Sequence, residues 1–158
     1  MFQIGDKVVY PMHGAGIIEA IEEKEVLGQI RKYYVMRIPL GEMKIMIPIS
    51  SVKEIGLRQV IDSQNVEEVL NILGDRSNTM MASWNRRYRA NLDKMRSGNI
   101  FEVAEVVKNL ALREKDKGLS TGEKKMLDSA SQILISELVL AGNGKEDEVM
   151  TLVQGVLA

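Results

Sequence analysis

Within seven residues, Ser83-Trp84-Asn85-Arg86-Arg87-Tyr88-Arg89, the chain gathers its only tryptophan, a tyrosine and three arginines, although aromatic residues make up 4% of the whole. Guanidinium groups bind phosphate oxygens, and a flat apolar ring fits against a base or into a gap between bases. These residue types at this spacing therefore point to nucleic-acid chemistry. A structural reading stands beside it. Ser83 is suited to cap a helix running to Gly98, and along that helix Trp84, Tyr88, Leu92 and Met95 share one face while Arg86, Arg87, Arg89, Lys94 and Arg96 spread over the others. Trp84 is then either the first rung of a buried stripe or a ring standing at the helix mouth among cations.

Enzymatic chemistry has little to work with. The single histidine, His13, stands in a turn, and without cysteine neither Cys/His catalysis nor a thiolate metal site is possible. Gly14-Ala15-Gly16 begins like a phosphate-binding fingerprint but lacks the third glycine and the following helix, so it reads as a turn. No catalytic residue, metal site or cofactor is expected. A membrane-lying helix over 84–96 is disfavoured by its dispersed positive charge.

The elements that must position these residues fall into two textures. Lys7–Tyr10, Gly16–Ile21, Lys32–Ile38 and Met43–Pro48 are short β-branched or aromatic runs, separated by turns at Pro11 to Gly14, at Gly28 and at Gly41. They predict a small SH3-like or Tudor-like barrel whose edges and loops are available to a partner strand. From Asn65 onward apolar residues recur at three and four. Val66, Val69, Leu70 and Leu73 make a short helix ended at Gly74, and Asp75–Ala82 reads as a loop before the tryptophan helix. Asn99 then caps a helix reaching Gly118, with Glu102 in the capping-box position. Ser120-Thr121-Gly122-Glu123 forms a second capping box for a helix to Gly142, and a last helix spans about Lys145–Val156. The fold class is α+β in two domains: residues 1–53 as a β barrel and 60–158 as a domain of about five helices. Because each periodicity closes on itself and the join is short, the two are expected to separate cleanly.

At 158 residues and 45% apolar composition the chain is an ordinary globular protein, and its net charge of −1 hides a partition. Residues 1–75 carry 8 basic and 11 acidic groups, residues 76–125 carry 12 and 6, and residues 126–158 carry 1 and 5. A basic middle attracts phosphate whatever the overall isoelectric point. The N-terminus lacks a basic region followed by an apolar run, and no apolar stretch is of membrane-spanning length, so the cytoplasm is expected and a membrane is not.

Gly5-Asp6-Lys7-Val8-Val9-Tyr10-Pro11, with His13-Gly14 and Gly16, resembles the start of the CarD/CdnL family of bacterial transcription regulators, a domain also similar to the polymerase-interacting module of the transcription-repair coupling factor. The segments Trp84-Asn85-Arg86-Arg87-Tyr88-Arg89-Ala90-Asn91-Leu92, Ala104-Glu105-Val106-Val107 and Gly118-Leu119-Ser120-Thr121-Gly122-Glu123-Lys124-Lys125-Met126-Leu127 resemble the family's helical domain, in order. The resemblance implies a Tudor-like domain that binds the RNA polymerase β subunit and a helical domain that contacts promoter DNA. It further implies a tryptophan, here Trp84, wedged into the minor groove at the upstream fork of the melted region, which stabilises the open complex without strong sequence preference. The basic residues assisting it correspond to Arg86, Arg89 and Lys124, and the polymerase contacts to Lys24, which keeps the family's charge, and Met46, which does not. A monomeric, nucleoid-associated regulator is the expectation. A protein-interaction adaptor, with the barrel binding a partner and the helices as a brace, is the alternative from another class.

Overall fold

The β-branched runs pair as antiparallel neighbours. In the computed structural model, which describes residues 1–40, 42–77, 83–142 and 144–158, the strands are β1 (Lys7–Tyr10), β2 (Gly14–Val26), β3 (Gln29–Ile38), β4 (Met43–Pro48) and β5 (Arg58–Gln59), in the order β4-β3-β2-β1-β5. The turn expected at Gly41, and the part of the 75–82 loop from Asn78 on, lie outside the described residues.

Two strands are longer than their apolar runs. β2 and β3 pair through Val26↔Gln29, closed by Leu27 and Gly28 at φ of 52° and 79°, the left-handed pair that suits a two-residue hairpin. Backbone pairing, not side-chain burial, extends this arm: every residue from Ile21 to Lys32 is exposed. Nearer the core, β2 bulges between Ile18 and Ala20, and the carboxylate of Glu19 meets Arg37 at 3.3 Å and Lys44 at 2.9 Å. Gly16 is required where it stands, because a side chain there would run into the Arg37 carbonyl oxygen.

The texture change after Ser51 is not a domain boundary but a crossing. A 3-10 turn (Ile49–Ser51) and α1 (Val52–Ile55) carry the chain from β4 to β5, which pairs with β1 at Val8↔Gln59 and Val9↔Arg58. Leu57 joins Val8, Ile18, Tyr34, Met36, Ile38 and Ile47 in one core. The sheet module therefore runs to Gln59, past the limit at residue 53 expected from texture.

Among the described residues five helices follow: α2 (Ser63–Gly74), α3 (Trp84–Arg96), α4 (Ile100–Asp116), α5 (Thr121–Gly142) and α6 (Glu146–Leu157). Their stripes converge on Leu73, Met95, Val103, Val107, Leu110, Leu134, Leu138 and Val153, each contributing about 1.5–3 kcal/mol by leaving water. Asn99 Oδ1 accepts from the Phe101 amide at 2.9 Å and starts α4. At α3 the expectation fails in detail: the Ser83 carbonyl accepts from the Arg87 amide at 3.0 Å, but its side chain makes no capping bond.

α5 is buried on two sides. One face joins the helical core, and the other, with Ser136, Glu137 and Leu140, packs on β1 and β2. Ser136 Oγ accepts from the Ala15 amide at 2.9 Å, Lys7 Nζ donates to the Leu140 carbonyl at 3.1 Å, and Leu140 touches Val9 and Ala15. Glu137, with no exposed surface, receives Arg58 Nη1 and Nη2 at 2.7 Å each and the Ile61 amide at 2.9 Å. Arg58 Nε also donates to the Gly98 carbonyl at 2.7 Å. Gly98 itself, at φ of 72°, leaves no room for a side chain beside Pro11. The modules are thus joined by buried polar contacts. Among the described residues no helix is long and apolar enough to cross a membrane.

Candidate nucleic-acid interface

Trp84 opens α3 and is 42% exposed. By helical angle it lies on the same face as Tyr88 and Leu92. Its ring stacks on Tyr88, one turn on, with centroids 5.0 Å apart and planes 16° from parallel. Its Nε1 donates to Ser120 Oγ at 3.0 Å. Tyr88 and Leu92 are half-buried against the helical core, as a stripe requires, while the ring they lead to is left open to solvent.

Ser120 and Glu123 form the capping box read from the sequence. Ser120 Oγ accepts from the Glu123 amide at 3.2 Å and donates to Glu123 Oε1 at 3.1 Å. The box reaches further than expected, because Glu123 also accepts from Arg87 Nε at 2.8 Å and Nη2 at 3.1 Å. Both residues of this pair are buried. The Arg87 hydrogen bonds hold the Glu123 carboxyl below the usual glutamate value against the opposing effect of burial, with Ser120 assisting; the same hydrogen bond holds Arg87 above the ordinary arginine value. Arg87, read from its spacing as one of the outward cations, instead ties α3 to the first turn of α5.

Arg86 and Arg89 are exposed on the solvent side of α3, and Lys124 is exposed on the first turn of α5, beside the Ser120 that holds Trp84. Of the four expected DNA-contact residues, Trp84, Arg86 and Arg89 lie in the first two turns of α3, and Lys124 lies in the first turn of α5, whose preceding Ser120 bonds Trp84. An exposed apolar ring on a helix that also carries exposed arginines is suited to docking against a polyanion that offers an apolar gap. Sequence reasoning missed the Arg87–Glu123 pair, whose partners are 36 residues apart; only the capping-box glutamate hinted at it.

Lys24 and Met46 lie elsewhere. Lys24 is on the exposed hairpin arm, opposite Arg31, and Met46 is on the edge strand β4, opposite Val35. Strand alternation puts both on the face of the sheet away from Tyr34 and Met36, two strands apart. His13 stays in its turn, donating from Nδ1 to the Pro11 carbonyl at 3.3 Å beside the Tyr10 ring. Among the described residues no three His, Cys, Asp or Glu side chains are grouped to hold a metal.

Residues 2–61 match the family model described as the CarD-like/TRCF RID domain, and residues 68–154 match that of the CarD C-terminal domain. The putative transcription factor YdeB of Bacillus subtilis (strain 168) is 48% identical over 138 residues, covering 87% of this chain and 90% of the relative. The solution NMR structure of the 72-residue N-terminal domain of Myxococcus xanthus CarD is 37% identical, covering 37% of this chain and 79% of that one, with a TM-score of 0.33. With two adjoining models that reach from residue 2 to 154 and a relative aligned over most of both sequences, the chain belongs to the CarD/CdnL family.

Proposed function

We propose that the chain regulates transcription initiation by binding the RNA polymerase β subunit through its sheet module and promoter DNA through α3 and the first turn of α5. Trp84 enters the minor groove at the upstream fork of the melted region and prolongs the open complex; Arg86, Arg89 and Lys124 hold the flanking phosphates. The carrying observation is the partly exposed Trp84, whose ring stacks on Tyr88. Forcing a ring between stacked bases costs a few kcal/mol, whereas a partly melted junction is already unstacked, so the ring selects a structure and not a sequence. Lys24 and Met46 on the outer sheet face, with the edge of β4 available for strand addition, support the polymerase contact. In this reading the protein acts as a monomer on the nucleoid and performs no catalysis; a relative described as a putative transcription factor supports the role in transcription.

The test is Trp84→Ala. Thermal melting should be nearly unchanged, since truncating a core tryptophan would cost about 3–5 kcal/mol and this ring is not in the core. Open-complex lifetime on a defined promoter should fall, and polymerase binding should persist. A lifetime equal to that of the parent protein would refute the wedge.

A further inference from the structure

Trp84 is partly exposed, yet its ring is held by a closed circuit of polar groups. Its Nε1 donates to Ser120 Oγ, Ser120 Oγ donates to Glu123 Oε1, and the Glu123 carboxylate accepts from Arg87, which leaves α3 three residues after Trp84. The chemistry of each member fixes the direction. An indole N–H and a guanidinium only donate, and an ionised carboxylate only accepts, so a hydroxyl is needed to join indole to carboxylate. Ser120 Oγ is fully used in doing so: its proton goes to Glu123 Oε1, and it accepts from both Trp84 Nε1 and the Glu123 amide. The hydroxyl cannot turn away without breaking a bond to a buried charge. Gly122, on the same turn, brings the backbone under the edges of both rings, within 3.9 Å of Trp84 Cζ2 and 3.7 Å of Tyr88 Cε2 for an added methyl.

From this circuit we infer that Ser120 and Glu123 are positioning residues for the Trp84 wedge: they set the indole plane before DNA is met and keep its one N–H bound to the protein. Arg87 anchors the circuit in the core. Two consequences follow for a ring of this kind. Its ordering is completed at folding and is not charged against binding, an advantage of about two- to tenfold for one side chain with several rotamers. With its only polar atom engaged, it meets the DNA as an apolar plate and reads no base edge. The inference rests on the wedge described above, but its structural half concerns the free protein alone.

Trp84 is the sole tryptophan, so its fluorescence reports the ring without labelling. Ser120→Ala should add a fast component to the anisotropy decay of the free protein, and Ser120→Thr, which restores the hydroxyl, should remove it. With polymerase and promoter, Ser120→Ala should shorten the open-complex lifetime about two- to tenfold. In a Trp84→Phe background the same substitution should have no further effect, because phenylalanine has no N–H to be held. An equal shortening in both backgrounds would show that Ser120 merely caps α5 and would overturn the inference. So would an anisotropy decay unchanged by Ser120→Ala, whatever the promoter assay gives. If Trp84→Ala leaves the lifetime intact while Ser120→Ala frees the ring, the wedge fails and the positioning in the free protein stands.

Discussion

Arg86 and Arg87 are sequence neighbours with opposite surroundings. Arg86 is exposed, whereas Arg87 falls on the inner line with Asn91 and Met95, each four residues on, and enters the bundle to meet Glu123. The apolar stripe Trp84–Tyr88–Leu92 was legible, but a helix face is not defined by its apolar members alone. A guanidinium joins the buried face when a carboxylate from another helix is buried with it, and one sequence does not announce that partner. Breaking such a pair from the arginine side leaves an uncompensated charge. Arg87→Met should therefore destabilise the protein by about 3–5 kcal/mol in denaturant titrations. Glu123→Gln, which keeps the shape and can still accept a bond, should cost less. The pair also carries pH dependence. Glu123 binds its proton less readily when folded, so its contribution is complete above the usual value of 4.5 and is lost as pH falls through the lower folded value. Between about pH 5 and pH 3 the parent protein should lose stability more steeply than Glu123→Gln. Parallel slopes for the two would show that the pair carries no such linkage.

At the scale of elements, legibility followed the source of each element's stability. Helices α4 and α5 were readable because Asn99 and the Ser120–Glu123 box mark their starts with groups that bond the backbone where they stand. The four main strands were readable from their β-branched runs. β5 was not: two polar residues, Arg58 and Gln59, form a strand only because the edge of β1 is there to receive them. The hairpin arm beyond Ile21 was missed for the same reason, since pairing across Leu27-Gly28 holds it and burial does not. The consequence is testable with fragments. A piece ending at residue 53 lacks β5 and Leu57, so it loses one edge of β1 and part of the core around Tyr34. Residues 1–61 should give the dispersed amide spectrum of a folded sheet, and residues 1–53 a poorer one that melts at lower temperature. Equal melting would show that β5 adds nothing to the sheet.

Across the whole molecule the proposed DNA-facing residues lie on α3 and the first turn of α5, while Arg76, Lys108 and Lys115 of the basic middle bond backbone carbonyls elsewhere. The proposed polymerase-facing residues lie on the sheet module, and α5 runs between the two. That helix alone contributes Lys124 to the proposed DNA contact, Leu134 to the helical core and Glu137 to the sheet. Its length was legible, but its second buried face was not. Ser136 and Glu137 are polar residues within an apolar run, and each bonds the other module. Arg58 makes the joint rigid, since its donors reach α5, the Gly98 turn after α3 and its own strand. The two partners are not equivalent. The Arg58 side chain is 30% exposed and Glu137 has no exposed surface, so a guanidinium left alone reaches water and a carboxylate left alone does not. Arg58→Met should consequently cost about 3–5 kcal/mol, whereas Glu137→Gln should cost nearer the about 1.5–3 kcal/mol of a charged hydrogen bond. Replacing both, with Arg58→Met and Glu137→Leu, removes both charges and should recover much of the loss, as exchanges of buried ion pairs for apolar groups commonly do. Urea denaturation of the three variants measures all three quantities. A rigid joint also makes binding by one module raise the local concentration of the other at its own target. Arg58→Met, assayed below its melting temperature, should therefore leave binding to isolated polymerase intact and shorten the open complex, because the wedge is no longer presented from a fixed position. If that variant holds the open complex as long as the parent, orientation between the modules is not what couples polymerase to the fork.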